Sequence, residues 1–330
     1  MNNPVHISVV IPTFRRVTLL MRVLDAMHSQ TYPHQNFEVI VVSDGPDPAT
    51  EKMISEMIPD FSTTLRLHYY SLPAKSGPAA ARNAGWLRSK GELIVFTDDD
   101  CIPASNWLAA YQQAYGRHTQ GKPVSFTGKV NVPVKQLPTD YEKNISHLST
   151  AEFITANCAC TRSALCLVGG FDEAFAAAWR EDSDLHFKLL RAGIAINHVS
   201  DALVFHPVRK ASWGVSIYEQ RKSMFNALLF KKHPDLYRKR IADTPVWRYY
   251  LIILLTFVSV FSLFLGDKIA FVIAFFSWLS AVGSFVIRRL DGTDKSLKHR
   301  LEMVVTSLAI PYLSVYWTLR GAWKYKVFFL

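Results

Sequence analysis

The chain has 330 residues, which allows about two domains and a sizeable core. Hydrophobic residues make up 49% and charged residues 19%, which excludes a disordered or collagen-like chain. The net charge of +10 is mostly local, because ten basic residues face three acidic ones from His206 to Arg248, which is +7 of the total. That stretch runs into an apolar span, so it is read as a surface for anionic membrane lipids, with no nucleic-acid partner.

The first two hundred residues alternate strand and helix patterns. Ile7–Ile11 reads as a strand ended by Pro12, and Val17–Ser29 as a helix with Leu20, Val23, Leu24 and Met27 on one face. Phe37–Ser43 is a second strand, closed by the turn Asp44-Gly45-Pro46. Ala49–Met57 follows as a helix, Leu65–Tyr70 as a third strand, and Ala79–Leu87 as a helix opened by Gly77-Pro78. Leu93–Thr97 is a fourth strand that runs into three aspartates. Alternating units of this length predict a mostly parallel sheet flanked by helices. Ligands of such sheets bind beyond the carboxyl ends of the strands, where Thr13, Asp44, Asp98 and Asp100 fall.

Residues 125–206 are less regular. Strands are predicted at Ser125–Val130, Asn157–Thr161 and Ala202–His206, with a helix after Trp179. Ile217–Lys231 reads as an amphipathic basic helix. Val246–Leu265 and Ile269–Ile287 each approach the roughly 20 apolar residues of a membrane-spanning helix. The link Gly266-Asp267-Lys268 makes them a hairpin. Arg238, Lys239, Arg240 and Arg248 precede it, and Arg288, Arg289, Lys295, Lys298 and Arg300 follow, so both ends are expected in the cytoplasm. Met303–Leu319 contains Pro311 and precedes a basic-aromatic tail, which reads as an interfacial or re-entrant helix. Cys101, Cys158, Cys160 and Cys166 show no zinc spacing, and the first apolar run is too short for a secretory signal. Free, buried structural cysteines in a reducing compartment are the expectation for all four.

Several clusters carry chemistry. Asp98 and Asp100 close a buried strand, where alternation points them to one side and Asp99 to the other. Two carboxylates together call for a cation, and Mg²⁺ or Mn²⁺ commonly bridges carboxylate to phosphate. An acidic helix cap is the structural alternative. The small residues from Gly77 to Gly85 let a backbone approach a ligand, and Arg82 stands among them, in reach of a diphosphate. Glu181-Asp182-Ser183-Asp184 opens a helix, where acids also suit the helix dipole. His206 ends a strand and offers an imidazole. No Gly-x-Gly-x-x-Gly follows the first strand and no Walker loop is present, which counts against a dinucleotide or P-loop fold.

Taken together the motifs resemble the family-2 glycosyltransferases, which have the GT-A fold. They are Val9-Val10-Ile11-Pro12-Thr13-Phe14, Val41-Val42-Ser43-Asp44-Gly45, Gly77-Pro78-Ala79-Ala80-Ala81-Arg82-Asn83-Ala84-Gly85, Phe96-Thr97-Asp98-Asp99-Asp100, Gly169-Gly170-Phe171-Asp172-Glu173 and Glu181-Asp182-Ser183-Asp184-Leu185. The resemblance covers about residues 5–210. It implies that Thr13 and Asp44 contact the nucleotide base, Asp98 the ribose or metal region, and that Asp100 holds Mg²⁺ or Mn²⁺. It further implies that Asp182 is the catalytic base and that His206 serves the metal or diphosphate. Ser43-Asp44 departs from the paired acids of many relatives, so base recognition differs in detail. The processive signature Gln-x-x-Arg-Trp is missing, since Gln220 and Arg221 are adjacent and Met224 follows.

The expected organisation is a GT-A domain over 1–210, a basic juxtamembrane segment over 211–245, a transmembrane hairpin over 246–287, and a cytoplasmic linker with the last helix over 288–330. The expected function is transfer of a sugar from a nucleotide-diphosphate sugar to an acceptor hydroxyl, with inversion. The acceptor would be a lipid-linked or membrane-proximal glycan at the cytoplasmic face of the cell (inner) membrane. A nucleotidyltransferase on a similar sheet and a catalytically inactive glycan-binding membrane scaffold are the alternatives.

Overall fold

The computed structural model describes residues 5–61, 65–118 and 121–329. In chain order the first elements are β1 (Ile7–Thr13), α1 (Val17–His28), β2 (Phe37–Ser43), α2 (Pro48–Phe61), β3 (Arg66–Ser71) and α3 (Pro78–Arg88). Then come β4 (Leu93–Phe96), β5 (Ile102–Pro103), α4 (Trp107–Gly116), β6 (Val124–Asn131), α5 (Asp140–Ser146) and β7 (Cys158–Thr161). They are followed by α6 (Arg162–Val168), α7 (Glu181–Arg191), β8 (Ala195–Phe205), α8 (Val215–Glu219), α9 (Met224–Lys232) and α10 (Pro234–Arg240). The last three helices are α11 (Trp247–Phe264), α12 (Lys268–Leu290) and α13 (Leu297–Lys324).

The chain divides into two compact units, one of residues 1–133 and 147–207, the other of 134–146 and 208–330. Residues 134–146, expected within the first domain, therefore belong to the second unit. The first unit holds one sheet in the order β3-β2-β1-β4-β7-β6-β8-β5. β1 pairs in parallel with β2 and β4, β2 with β3, and β6 with β8. β7 is antiparallel to both β4 and β6, and β5 to β8. All other strands of the sheet thus point one way, and the carboxyl ends of β1, β2, β4 and β8 share one edge. β1, β2 and β4 are buried at every residue, which is why they read as largely apolar runs instead of alternating ones. On one face Trp86 of α3, Ala164 and Leu165 of α6, and Leu185 and Leu189 of α7 pack with Phe96, Cys160 and Phe171 in a single core.

β8 begins at Ala195, seven residues before the predicted start. Its polar residues Asn197, His198, Ser200 and Asp201 hide the strand pattern, and beyond it the sheet carries only the two-residue β5. Asn157 is a buried polar hub behind the sheet. Its Oδ1 accepts from Trp107 Nε1 at 2.8 Å and Tyr111 Oη at 2.7 Å, and its Nδ2 donates to the carbonyls of Lys129 and Ala202. Cys101, Cys158 and Cys160 are buried free thiols, but Cys166 is exposed, because it faces outward on the short helix α6.

In the second unit the predicted helix Ile217–Lys231 is broken. α8 ends at Glu219, a 3₁₀ turn covers Gln220–Ser223, and α9 restarts at Met224. α9 buries Phe225, Ala227, Leu228 and Leu229, positions too widely spread around a helix for one amphipathic stripe. It packs against α13, where a Cβ on Gly321 would come within 2.4 Å of the Met224 carbonyl oxygen. α13 is one continuous helix through the buried Pro311, so the segment makes no re-entrant turn. α11 and α12 are long and apolar enough to cross a membrane, with mean hydropathies of 1.7 and 2.1, and little of either is buried. They join at Leu265-Gly266-Asp267, with Gly266 at φ +72° and Asp267 capping α12 through Ala270 N. Arg289 ties the end of α12 to Asp140 at 2.7 Å and to Thr306 and Ser307 of α13.

Candidate active site

The site lies at the carboxyl edge of the sheet. Thr13 ends β1, Asp44 follows β2, Asp98–Asp100 follow β4, and His206 follows β8. The three aspartates do not continue the strand. β4 stops at Phe96, and the Cys101 N–H closes a turn onto the Asp98 carbonyl at 3.1 Å. Strand alternation therefore does not govern the side chains, and each carboxylate has its own surroundings. Asp98 accepts from Arg82 Nη2 at 2.7 Å. Asp99 accepts from the Thr13 hydroxyl at 2.8 Å and from Arg16 Nη1 at 2.9 Å. Burial raises the Asp99 carboxyl above its ordinary value, and the Arg16 guanidinium offsets only part of that. Thr13, expected at the nucleotide base, is buried and uses its hydroxyl to hold this turn.

Asp100 and His206 meet because β5 pairs with the end of β8. Ile102 lies opposite Phe205, which brings the residues just before β5 beside His206. The His206 N–H donates to the Asn131 carbonyl at 2.8 Å, fixing the backbone. Asp100 Oδ1 is 3.9 Å from His206 Nε2 and 3.9 Å from Cys101 Sγ. Ligand atoms of Asp100, Cys101 and His206 lie within 4.8 Å of one another, and all three residues are buried. His206 Nδ1 is buried without a hydrogen-bond partner. A buried carboxylate and a buried imidazole at this separation are a donor set that a cation satisfies. Burial, with the Asp98 and Asp100 charges, pushes the Cys101 thiol well above its ordinary range.

Helix α3 organises the opposite side. Asp44 Oδ1 accepts the Ser76 and Gly77 N–H groups, each at 2.7 Å, and so shapes the loop before the helix. Gly77 sits at φ +100°, and a Cβ there would lie 2.7 Å from the Ala176 carbonyl oxygen. Only glycine meets both demands. Asn83 clamps the loop after α6. Its Nδ2 donates to Phe171 O and Glu173 Oε1, and its Oδ1 accepts from Phe171 N and Trp86 Nε1. Arg82 is 2% exposed and bridges two carboxylates, Asp98 at 2.7 Å and Glu181 at 3.2 Å. Their charges outweigh its desolvation and hold the guanidinium more firmly protonated. Arg82, expected to reach a diphosphate, instead spends both terminal nitrogens inside the protein.

Glu181 and Asp182 open α7. Arg180 precedes them at φ +75°, unusual for a non-glycine residue, with its guanidinium 4.8 Å over the Trp179 ring. Asp182 is half-buried and accepts from Ser183 N at 2.6 Å. Asp184 is fully buried and pairs with Lys188 at 3.2 Å, which also donates to the Gly170 carbonyl. Asp184 is thus a structural acid, while Asp182 keeps access to solvent. Burial, with the Asp182 and Asp98 charges, pushes the Glu181 carboxyl up to about 7 against the pull of Arg82.

Three roles escaped the sequence reading. Asn83 was visible only as part of a small-residue motif, although an amide inside a helix asks for a tertiary partner. Glu181 looked like a helix-dipole acid. Cys101 had no ligand spacing, because the cluster depends on the β5–β8 pairing.

Residues 8–165 match the family model Glycosyl transferase family 2. Glycosyltransferase AglE of Haloferax volcanii is 36% identical over 103 residues, covering 31% of this chain and 33% of that protein. A validoxylamine A glucosyltransferase of Streptomyces hygroscopicus subsp. jinggangensis is 24% identical over 273 residues, covering 70% of this chain and 61% of that one. The chain thus spans less than two thirds of the length of these relatives. Among solved structures, the Pyrobaculum calidifontis mannosyltransferase PcManGT in complex with GDP-Man and Mn²⁺ superposes with a TM-score of 0.58 at 18% identity. That match covers 98% of this chain and 88% of the mannosyltransferase. GalNAc-T7 with UDP, GalNAc and Mn²⁺ gives 0.51 at 14% identity, covering 73% of this chain and 57% of that one. The mixed sheet with its flanking helices is accordingly a GT-A fold, and residues 8–165 form a domain of glycosyl transferase family 2.

Proposed function

We propose that the protein is a membrane-anchored glycosyltransferase that moves one sugar per event, with inversion, from a nucleotide-diphosphate donor to an acceptor hydroxyl. The observation that carries this reading is the convergence of the buried Asp100 and His206, with Asp100 Oδ1 3.9 Å from His206 Nε2, on the sheet edge that also bears Thr13, Asp44 and Asp98. Asp100 and His206 would hold a divalent cation. A carboxylate paired with an imidazole suits Mn²⁺ better than Mg²⁺, which prefers oxygen ligands throughout. When bound, the cation offsets the charge of the departing nucleoside diphosphate. GDP-Man and Mn²⁺ in the mannosyltransferase of the same fold support both parts of this reading.

Asp182 is the base in this scheme. The acceptor hydroxyl must lose its proton as it attacks the anomeric carbon, and a carboxylate within hydrogen-bond reach supplies the acceptor. Of the three acids at the start of α7, Glu181 faces Arg82 and Asp184 faces Lys188, which leaves Asp182. Asp44 and Thr13 shape the donor side by fixing the loop before α3 and the turn after β4, and Asp98 stands beside them for the ribose or metal region.

α11 and α12 anchor the enzyme as a transmembrane hairpin. Phe257, Phe264 and Ile269 are 69%, 84% and 75% exposed, an apolar surface that a soluble protein seldom leaves bare. The basic flanks support a cytoplasmic location for both ends of the hairpin and for the catalytic domain. An anchored site of this kind serves an acceptor that is itself lipid-linked or close to the membrane. The absence of the processive signature agrees with transfer of one sugar at a time. The test is a thermal-shift screen of UDP, GDP, CDP and ADP with Mn²⁺ or Mg²⁺ on the detergent-solubilised chain. A ligand at 100 times its Kd stabilises by about 2.7 kcal/mol, so one nucleotide is expected to raise Tm only when the cation is present. No shift with any of them would overturn the reading.

A further inference from the structure

The first turn of α7 carries the proposed base. Arg180, at the N-cap position, makes no side-chain cap hydrogen bond and is left-handed. Arg82 reaches this turn from outside α7, through Glu181 at 3.2 Å. The same guanidinium grips Asp98, on the turn after β4, at 2.7 Å. The neighbouring Asn83 holds Phe171 and Glu173 on the loop that leads to α7, and Gly77 packs against Ala176. One helix, α3, thereby connects the donor side of the site with the base. Its polar tie is incompletely used, because Arg82 Nε and Glu181 Oε2 are both buried without hydrogen-bond partners. Buried, unsatisfied groups flanking an ion pair are costly, and they leave room for a second arrangement of the same three side chains.

We infer that Glu181 is a positioning residue, and that Arg82 and Glu181 transmit occupation of the donor site to Asp182. This rests on the reading of Asp98 and Asp182 given above. With the donor side filled, the Asp98 carboxylate is drawn toward the ribose or the cation. Arg82 then has one principal partner, its full charge falls on Glu181, and the first turn of α7 is fixed with Asp182 in place. No bond is made or broken in this step. Its chemistry is a shift of one guanidinium between two carboxylates, and the coupling works equally in both directions. A base ordered only when the donor is bound also limits attack on the sugar by water.

Hydrogen exchange on the full-length chain in detergent tests this without any turnover. Amide exchange across Trp179–Lys188 is measured with and without UDP or GDP plus Mn²⁺, and nucleotide affinity is measured by calorimetry on the same samples. In the wild type, nucleotide with Mn²⁺ is expected to slow exchange in the first turn of α7 by at least about fivefold, the low end of coupling between sites. In Glu181→Gln that slowing should disappear, and the nucleotide should still bind, weakened by no more than the coupling lost, about the factor of the wild-type slowing. Glu181→Asp, which keeps the charge but shortens the reach to Arg82, should behave likewise and stands in if the first variant does not fold. A structural role alone would loosen α7 equally with and without nucleotide. The inference is overturned if the wild type binds nucleotide with no change at α7, or if both variants retain the full slowing. If neither nucleotide binds the wild type at all, the proposed function fails and this inference falls with it.

Discussion

Asn83→Ala removes a side chain that joins α3 to the loop after α6. The amide makes four hydrogen bonds, two as donor to Phe171 O and Glu173 Oε1 and two as acceptor from Phe171 N and Trp86 Nε1, all between 2.9 and 3.0 Å. Phe171 and Trp86 are buried. The substitution leaves the Phe171 N–H, the Phe171 carbonyl and the Trp86 indole N–H without partners. Each such group costs about 1–3 kcal/mol. A water entering the vacated volume recovers part of this, so the net loss should be about 3–5 kcal/mol. At roughly 2–4 °C per kcal/mol for a domain of this size, Tm of the full chain in detergent should fall by at least about 6 °C. Asn83→Asp keeps the acceptors but loses both donors and sets a carboxylate against Glu173, so it should be at least as harmful. A drop of less than about 2 °C for both variants would refute the clamp.

Other consequences follow from the same geometry. Asp182→Asn should lower turnover by roughly 10²–10⁴-fold with little change in donor affinity, whereas Asp184→Asn should act on stability, because Asp184 is fully buried against Lys188; rates and Tm of the two variants separate these roles. Burial raises the folded-state Glu181 carboxyl to about 7 from an ordinary value near 4.5. The folded protein thus binds this proton more tightly than the unfolded chain, and the associated stability is present below about pH 4.5 and lost as pH rises toward 7. Glu181→Gln should flatten that part of the Tm–pH profile, and an unchanged profile would contradict the shift. In a Cys166→Ser background, Lys268→Cys at the tip of the hairpin should react with a membrane-impermeant maleimide added to intact cells, and the exposed Lys295→Cys should not. The reverse pattern would overturn the topology.

β1, β2 and β4 of the parallel part were legible because they are buried throughout and write themselves as largely apolar runs, as in Ile7–Ile11 and Phe37–Ser43. β8 was half-legible, since four of its first seven residues are polar, and pairing with β6 keeps it a strand. The break at Gln220 was not legible either. Lys and Arg around it mimic an amphipathic helix, while burial of α9 against α13 is a tertiary fact. In the site, the positions of Asp44, Asp100 and His206 followed from their places at strand ends. The partner of each carboxylate did not, because the turn after Phe96 replaces strand alternation with three separate environments. Arg82 shows the same limit. Its residue type and its place on a helix near a ligand edge are readable, but the two acids that consume its donors lie 16 and 99 residues further along the chain.

The most direct measurement of the account is cation-dependent release of nucleoside diphosphate by the full chain in detergent. UDP-glucose, UDP-N-acetylglucosamine and GDP-mannose serve as donors, with membrane lipid extract as the source of acceptor. The wild type should release UDP or GDP from at least one donor with Mn²⁺ or Mg²⁺ and stop when chelator is added. Asp100→Ala should be inactive yet folded, and His206→Ala should need a higher Mn²⁺ concentration. Full release by Asp100→Ala in excess chelator would contradict a donor held through a cation at the ends of β4 and β8.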